Sequence, residues 1–191
     1  MEKWRDLDRA ETLFAKMIFV ETPLRGAFTI DLERHEDERG FFARTFCVNE
    51  FAKHGLNPNV VQCNLSSNPK AGTLRGMHFQ KRPAGEAKLV RCVRGAIHDV
   101  MVDLRPESPT YRQSYAVQLT MENRRALYIP ECFGHGFQTL LDDTEVEYQM
   151  SEFHALEHAR GFRYDDAAFS IRWPRPVSMI STQDLKWLPF S

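Results

Sequence analysis

From Ile18 onward the chain is written in short apolar-alternating runs, about ten residues apart, cut by Pro, Gly, Asn and Asp. Alternation has period two, the period of a strand, and such spacing predicts an all-β sandwich or barrel. One internal helix is predicted at Val48 to Lys53, with Asn49 as N-cap and Gly55 as stop. Residues 1–17 read as an N-terminal arm and residues 18–191 as one domain, a size that buries a substantial core.

Composition narrows the function classes. The 25 Lys and Arg nearly cancel the 26 Asp and Glu, so no overall field favours nucleic acid or an anionic membrane. Apolar stretches such as Met17 to Val20 are far shorter than the roughly 20 residues that span a bilayer, and the charged N-terminus lacks the apolar core of a secretory signal. A cytoplasmic location is expected. Cys47, Cys63, Cys92 and Cys132 contain no C-x-x-C pair, which favours free buried thiols over disulfides or a zinc knot.

Strand parity sorts some polar residues. In Ala96 to Leu104, His98 shares the apolar face, read as inward, with Ala96, Val100, Val102 and Leu104, and Ile97, Asp99, Met101 and Asp103 form the other face. In Glu145 to Met150, Tyr148 falls with Val146 and Met150 and points inward. His98 and Tyr148 each either satisfy a buried hydrogen bond or line a cavity.

Three further segments carry polar groups into strand-like text. Gln62 to Gln80 holds Gln62, Asn64, Arg75, His78 and Gln80; it is either a solvated loop with a bulge at Gly76 or a ligand-facing strand supplying a base and an anion clamp. In Tyr128 to Phe137, His135 sits between two glycines that allow close backbone approach. Lys88 enters an apolar strand, where it either snorkels to the surface or reaches a site.

The segments D-E-R-G-F-F (37–42), Q-C-N-L-S (62–66), L-R-G-M-H-F-Q (74–80), K-L-V-R-C-V-R-G (88–95), D-V-M-V-D-L-R (99–105) and I-P-E-C-F-G-H-G-F (129–137) occur in one order. In this the chain resembles the dTDP-4-dehydrorhamnose 3,5-epimerase family, from about Ile18 to Pro189. The resemblance implies a cupin-type jelly-roll β-barrel with a few short helices, a homodimer, and an isomerase using neither metal nor organic cofactor. The implied reaction inverts C3 and C5 of a dTDP-linked 4-keto-6-deoxyhexose through an enolate.

By that resemblance His78 is the base, Tyr148 the acid, and Asp184, in Ser181-Thr182-Gln183-Asp184, the carboxylate that orients His78; Asp166 is the rival for this place. Arg75, Lys88 and His135 would surround the sugar and diphosphate. Arg39, Phe42, Gln62 and Asn64 would hold the nucleotide, with Arg39 reaching the neighbouring subunit's site.

The chain also departs from the family pattern. Arg44 stands where many members have Glu, His154 in place of a second pocket Tyr, and His98 in place of Phe or Tyr. Gln183 replaces a Lys and Cys132 a Gly. Such changes accommodate two alternatives, a C3-only epimerase and a non-catalytic sugar-nucleotide-binding cupin. A metal-dependent cupin would need His78, His98 and His135 to converge, but the H-x-H spacing with a following Glu is missing.

Overall fold

The computed structural model describes residues 16–190, so most of the N-terminal arm lies outside the described residues. Two sheets face each other. The first has the order β1 (Met17–Glu21), β2 (Phe28–Leu32), β10 (Ala126–Ile129), β7 (Lys88–Arg94), β12 (Thr144–Met150), β5 (Gln62–Asn68). The second runs β13 (Ala159–Gly161), β6 (Thr73–Gln80), β11 (Phe133–Thr139), β8 (Ala96–Asp103), β9 (Ser114–Thr120), with β14 (Met179–Ile180) pairing with β6. Every sheet pairing is antiparallel except β14 with β6, as expected of a jelly roll. A separate two-stranded hairpin, β3 (His35–Asp37) and β4 (Gly40–Phe42), follows β2 in the chain.

Three clusters hold this arrangement. Between the sheets, Val90, Cys92, Leu127 and Val146 of the first meet Ile97, Met101, Leu119 and Phe137 of the second. Outside the first sheet, Phe51 of α1 (Val48–Lys53) covers Ile30, Leu89 and Tyr128. Outside the second, Phe162, Phe169 and Phe190 from the C-terminal segment cover Val100, Val102 and Leu104. A jelly roll covered on both outer faces explains why so many strands are apolar on both sides.

That double covering corrects one parity reading. The face of β8 carrying His98 is not the barrel interior but the outer face, where His98 meets Trp173 edge-on. Asp99 points inward instead, beside Ile97 and Met101. His98 Nε2 is buried with no hydrogen-bond partner, and desolvation depresses the imidazole's basicity against the opposing pull of Asp99 and a backbone bond to Arg172.

Helix α1 occupies the predicted residues, with Gly55 left-handed just past its end. Its N-cap is Cys47, not Asn49: Cys47 has the extended φ of −154° and offers no side-chain cap. The helix phase is set by burial of Phe51, while Glu50 accepts from Met17 N–H and pairs with Arg44 at 2.7 Å. All four cysteines are free thiols, but only Cys92 is buried; Cys47 and Cys132 are half-buried and Cys63 lies exposed on edge strand β5. No helix among the described residues is long and apolar enough to cross a membrane.

Candidate active site

Strand β6 is the spine of the site, and a bulge makes it so. His78 pairs with His135 and Arg75 with Phe137, so three residue steps on β6 oppose two on β11. In an unbroken strand Arg75 and His78 would point to opposite faces; the extra residue turns both into the cleft between the sheets. Gly76 permits it. Its φ is +127°, and a Cβ there would lie 2.5 Å from Gly136 Cα. The bulge is present, but it sits in a strand that lines the cleft and not in a solvated loop.

His78 Nε2 lies 2.6 Å from Asp184 Oδ1. Asp184 sits on α2 (Thr182–Leu185), where Ser181 Oγ caps the helix by accepting its N–H, and its second oxygen accepts from Gly76 N–H at 3.4 Å. Burial pushes the Asp184 carboxyl up, but His78, Gly76 and Ser181 outweigh it and hold the carboxyl below its ordinary value. A carboxylate only accepts, so Nε2 is the donor in this bond, which orients the imidazole at the wall of the cleft. Asp166 is not near His78. It caps the short 3₁₀ helix Ala167–Phe169 through Ala168 N–H and accepts Phe190 N–H at 2.6 Å.

Tyr148 enters from β12 on the opposite sheet, with its ring 6.3 Å from both His135 and Phe137. Burial raises its phenol's pKa, the Asp99 carboxylate adds to this, and Arg75 and Ser66 oppose without reversing it. The phenol thus stays protonated at neutral pH, a donor. His135 is buried, its Nε2 3.0 and 3.1 Å from the two oxygens of the buried Asp99. Lys88 is buried rather than snorkelling, its Nζ 3.0 Å from Glu86 Oε1, and both line the cleft.

Arg75 Nε donates to Asn68 Oδ1 at 2.8 Å, which fixes the guanidinium without spending its charge on a carboxylate. Gln62 and Asn64 line the same cleft from edge strand β5, and Gln62 Oε1 accepts His154 N–H, tying down the loop at the mouth. The cleft encloses about 1120 Å³, room for a ligand larger than a single sugar.

Arg39 and Phe42 do not join it. They stand on the β3–β4 hairpin, exposed, with Arg39 paired to Asp37. Of the departures, His154 and Gln183 line the cleft, whereas Arg44 pairs with Glu50 and His98 lies behind β8. Cys132 has φ +62°, a left-handed backbone in which a glycine is at ease.

Two site residues were not singled out from sequence. Glu86 carries a readable signal, since it stands two before Lys88 and so shares its face in an extended chain. For Asp99, period two groups it with Ile97 and Met101 but does not say that this face is the interior.

A model of the dTDP-4-dehydrorhamnose 3,5-epimerase family matches residues 21–191. A protein of that name from Methanothermobacter thermautotrophicus is 43% identical over 179 residues, 92% of this chain and 95% of that one. A crystal structure of dTDP-4-dehydrorhamnose 3,5-epimerase from Bacillus anthracis, with TDP and PPi bound, superposes with a TM-score of 0.88 at 35% identity, covering 92% of this chain and 100% of that one. A dTDP-4-dehydrorhamnose 3-epimerase from Streptomyces niveus is 37% identical over 162 residues, covering 84% of this chain and 78% of that one. Sequence, barrel and cleft agree, and the chain belongs to the dTDP-4-dehydrorhamnose 3,5-epimerase family of isomerases.

Proposed function

We propose that the protein inverts C3 and C5 of a dTDP-4-keto-6-deoxyhexose through an enolate, with His78 as base and Tyr148 as acid. The observation that carries this reading is a carboxylate-backed imidazole on one sheet and a buried phenol on the other, both lining one cleft. His78 takes the proton from the carbon beside the ketone, and the C–H electron pair moves into the ring while the carbonyl pair moves onto the C4 oxygen. Lys88 and His135 are the groups available to stabilise that oxygen. Tyr148 then protonates the carbon from the other face as the oxygen's electron pair re-forms the C4 ketone; the phenolate regains a proton from solvent and His78 releases its proton to solvent.

Arg75 grips the diphosphate in this account, and Gln62 and Asn64 the nucleotide. Arg39 and Phe42, exposed away from their own cleft, serve the neighbouring subunit's site in a homodimer. The reaction runs without metal: His78 and His135 each give Nε2 to a carboxylate, and His98 lies on the far side of β8, so the three histidines do not converge. A chelator should leave activity intact; one zinc or nickel per chain, with activity lost on its removal, would make the metal-dependent reading correct.

A second reading, inversion at C3 alone, is favoured by His154 lining the cleft where the resemblance implies a tyrosine. Incubation with dTDP-4-keto-6-deoxyglucose in deuterium oxide, read by NMR, separates the readings. Label at C3 and C5 supports the double epimerase and label at C3 alone the second reading. No label, with nucleotide bound, supports a binding module.

A further inference from the structure

Helix α2 delivers Asp184 to His78, yet it is a single turn whose one buried side chain is Asp184 itself; Leu185 is exposed. So short a helix has neither intrinsic stability nor an apolar anchor of its own. What flanks it must fix it. On the N-terminal side β14 pairs with β6, Met179 against Thr73 and Ile180 against Leu74. On the C-terminal side stands Trp187, which lines the cleft wall beside β13.

Trp187 occupies a notch. Gly161 of β13 is the register partner of His78, so the side on which its Cβ would stand is the side His78 presents. A Cβ on Gly161 would meet indole Cε2 at 2.4 Å, Nε1 at 2.5 Å and Cδ2 at 2.7 Å, which sets the flat of the ring on the glycine Cα. The indole N–H is buried with no acceptor, so the ring is held by shape rather than by a hydrogen bond. The next residue continues the attachment, Leu188 accepting from Arg163 N–H at 3.2 Å.

We infer that Trp187 is a positioning residue: seated on Gly161, it fixes the C-terminal segment so that Asp184 stays on His78. The kinetic part of this inference rests on the proposed role of His78; the geometric part does not. Misplacing an orienting group by about 1 Å costs on the order of 10²-fold in rate, while binding of the nucleotide, made elsewhere in the cleft, is left alone.

The test uses the full chain with ¹⁵N-labelled histidine and four variants: Trp187→Ala, Trp187→Phe, Gly161→Ala and the double variant Gly161→Ala/Trp187→Ala. Two readouts are taken, the His78 imidazole ¹⁵N signal, assigned by its loss in His78→Ala, and substrate exchange in deuterium oxide. Trp187→Ala and Gly161→Ala should each lose the His78 carboxylate-bonded signature and about 10²-fold in kcat with KM little changed. Trp187→Phe, whose ring still fills the notch, should keep the signature. The double variant should be no worse than Trp187→Ala, because both changes delete one contact.

An unchanged His78 signal in Gly161→Ala would overturn the inference even if Trp187→Ala failed to fold. So would losses that multiply in the double variant. If the unsubstituted protein shows no exchange, the proposed function fails while the imidazole signal still decides the positioning claim.

Discussion

His78 and Asp184 stand 106 residues apart in sequence, yet their Nε2 and Oδ1 atoms are 2.6 Å apart, a direct link between the barrel and its C-terminal segment at the cleft. Replacing Asp184 by Asn keeps the shape but offers an amide that can donate to the imidazole and reverse its tautomer. We expect kcat to fall by on the order of 10² to 10⁴, less completely than on removal of the imidazole. Asp166→Asn should instead act on stability, by about 1 kcal/mol, since it loses acceptor capacity for Ala168 and Phe190 and touches nothing in the cleft. Steady-state kinetics beside thermal melts distinguishes the two; a larger kinetic loss in Asp166→Asn at unchanged melting temperature would reassign the carboxylate.

Tyr148→Phe separates proton removal from proton delivery. The variant is nearly isosteric, so packing against His135 and Phe137 survives. His78 can still form the enolate and return a proton to the same face. Recovered substrate in deuterium oxide should carry label with configuration retained, while inversion slows by roughly 10² to 10⁴. Inversion at the normal rate would return Tyr148 to the role of a core tyrosine and turn attention to His154.

Asp103 contributes to acid stability. Burial pushes its carboxyl up, but Arg105, Ser108 and Thr110 outweigh this and bring it from 3.8 down to about 2. Because the unfolded carboxyl takes up its proton first as pH falls, the stabilisation is complete above about pH 4 and is lost as pH drops toward 2; it amounts to about 2 kcal/mol. Urea unfolding of the parent chain and Asp103→Asn across this window should show their difference shrinking toward low pH. A difference constant with pH would contradict the assignment.

Cys132→Gly should stabilise the protein. The position has φ +62°, where an L side chain is strained, and relief of that strain exceeds the extra chain entropy of glycine by up to about 1 kcal/mol. A rise in melting temperature without change in kcat is the expected result; a fall would mean that the thiol's packing outweighs the backbone strain.

The sequence was legible where period two and local chemistry act alone: the strands, helix α1, the inward Tyr148 and the bulge glycine. It was less legible where two covered faces compete. His98 and Asp99 are neighbours on one strand, and period two separates them without saying which side is the interior, because the apolar C-terminal segment buries the outer face as well. Lys88 shows the same limit, its burial depending on Glu86 closing an ion pair within the cleft. Asp184 was reached through resemblance; no local pattern says that a one-turn helix meets His78. Arg39 and Phe42 belong to an exposed hairpin that does not line the cleft of its own chain, and period two carries no sign of that separation.

The most direct test of the account is deuterium exchange into dTDP-4-keto-6-deoxyglucose by His78→Ala, at saturating substrate and with nucleotide affinity measured alongside. Nucleotide binding should match that of the parent chain, with no enzyme-dependent label at C3 or C5. Label appearing at the parent rate at either carbon would show that another group removes the proton, and the assignment of His78 as base would be wrong.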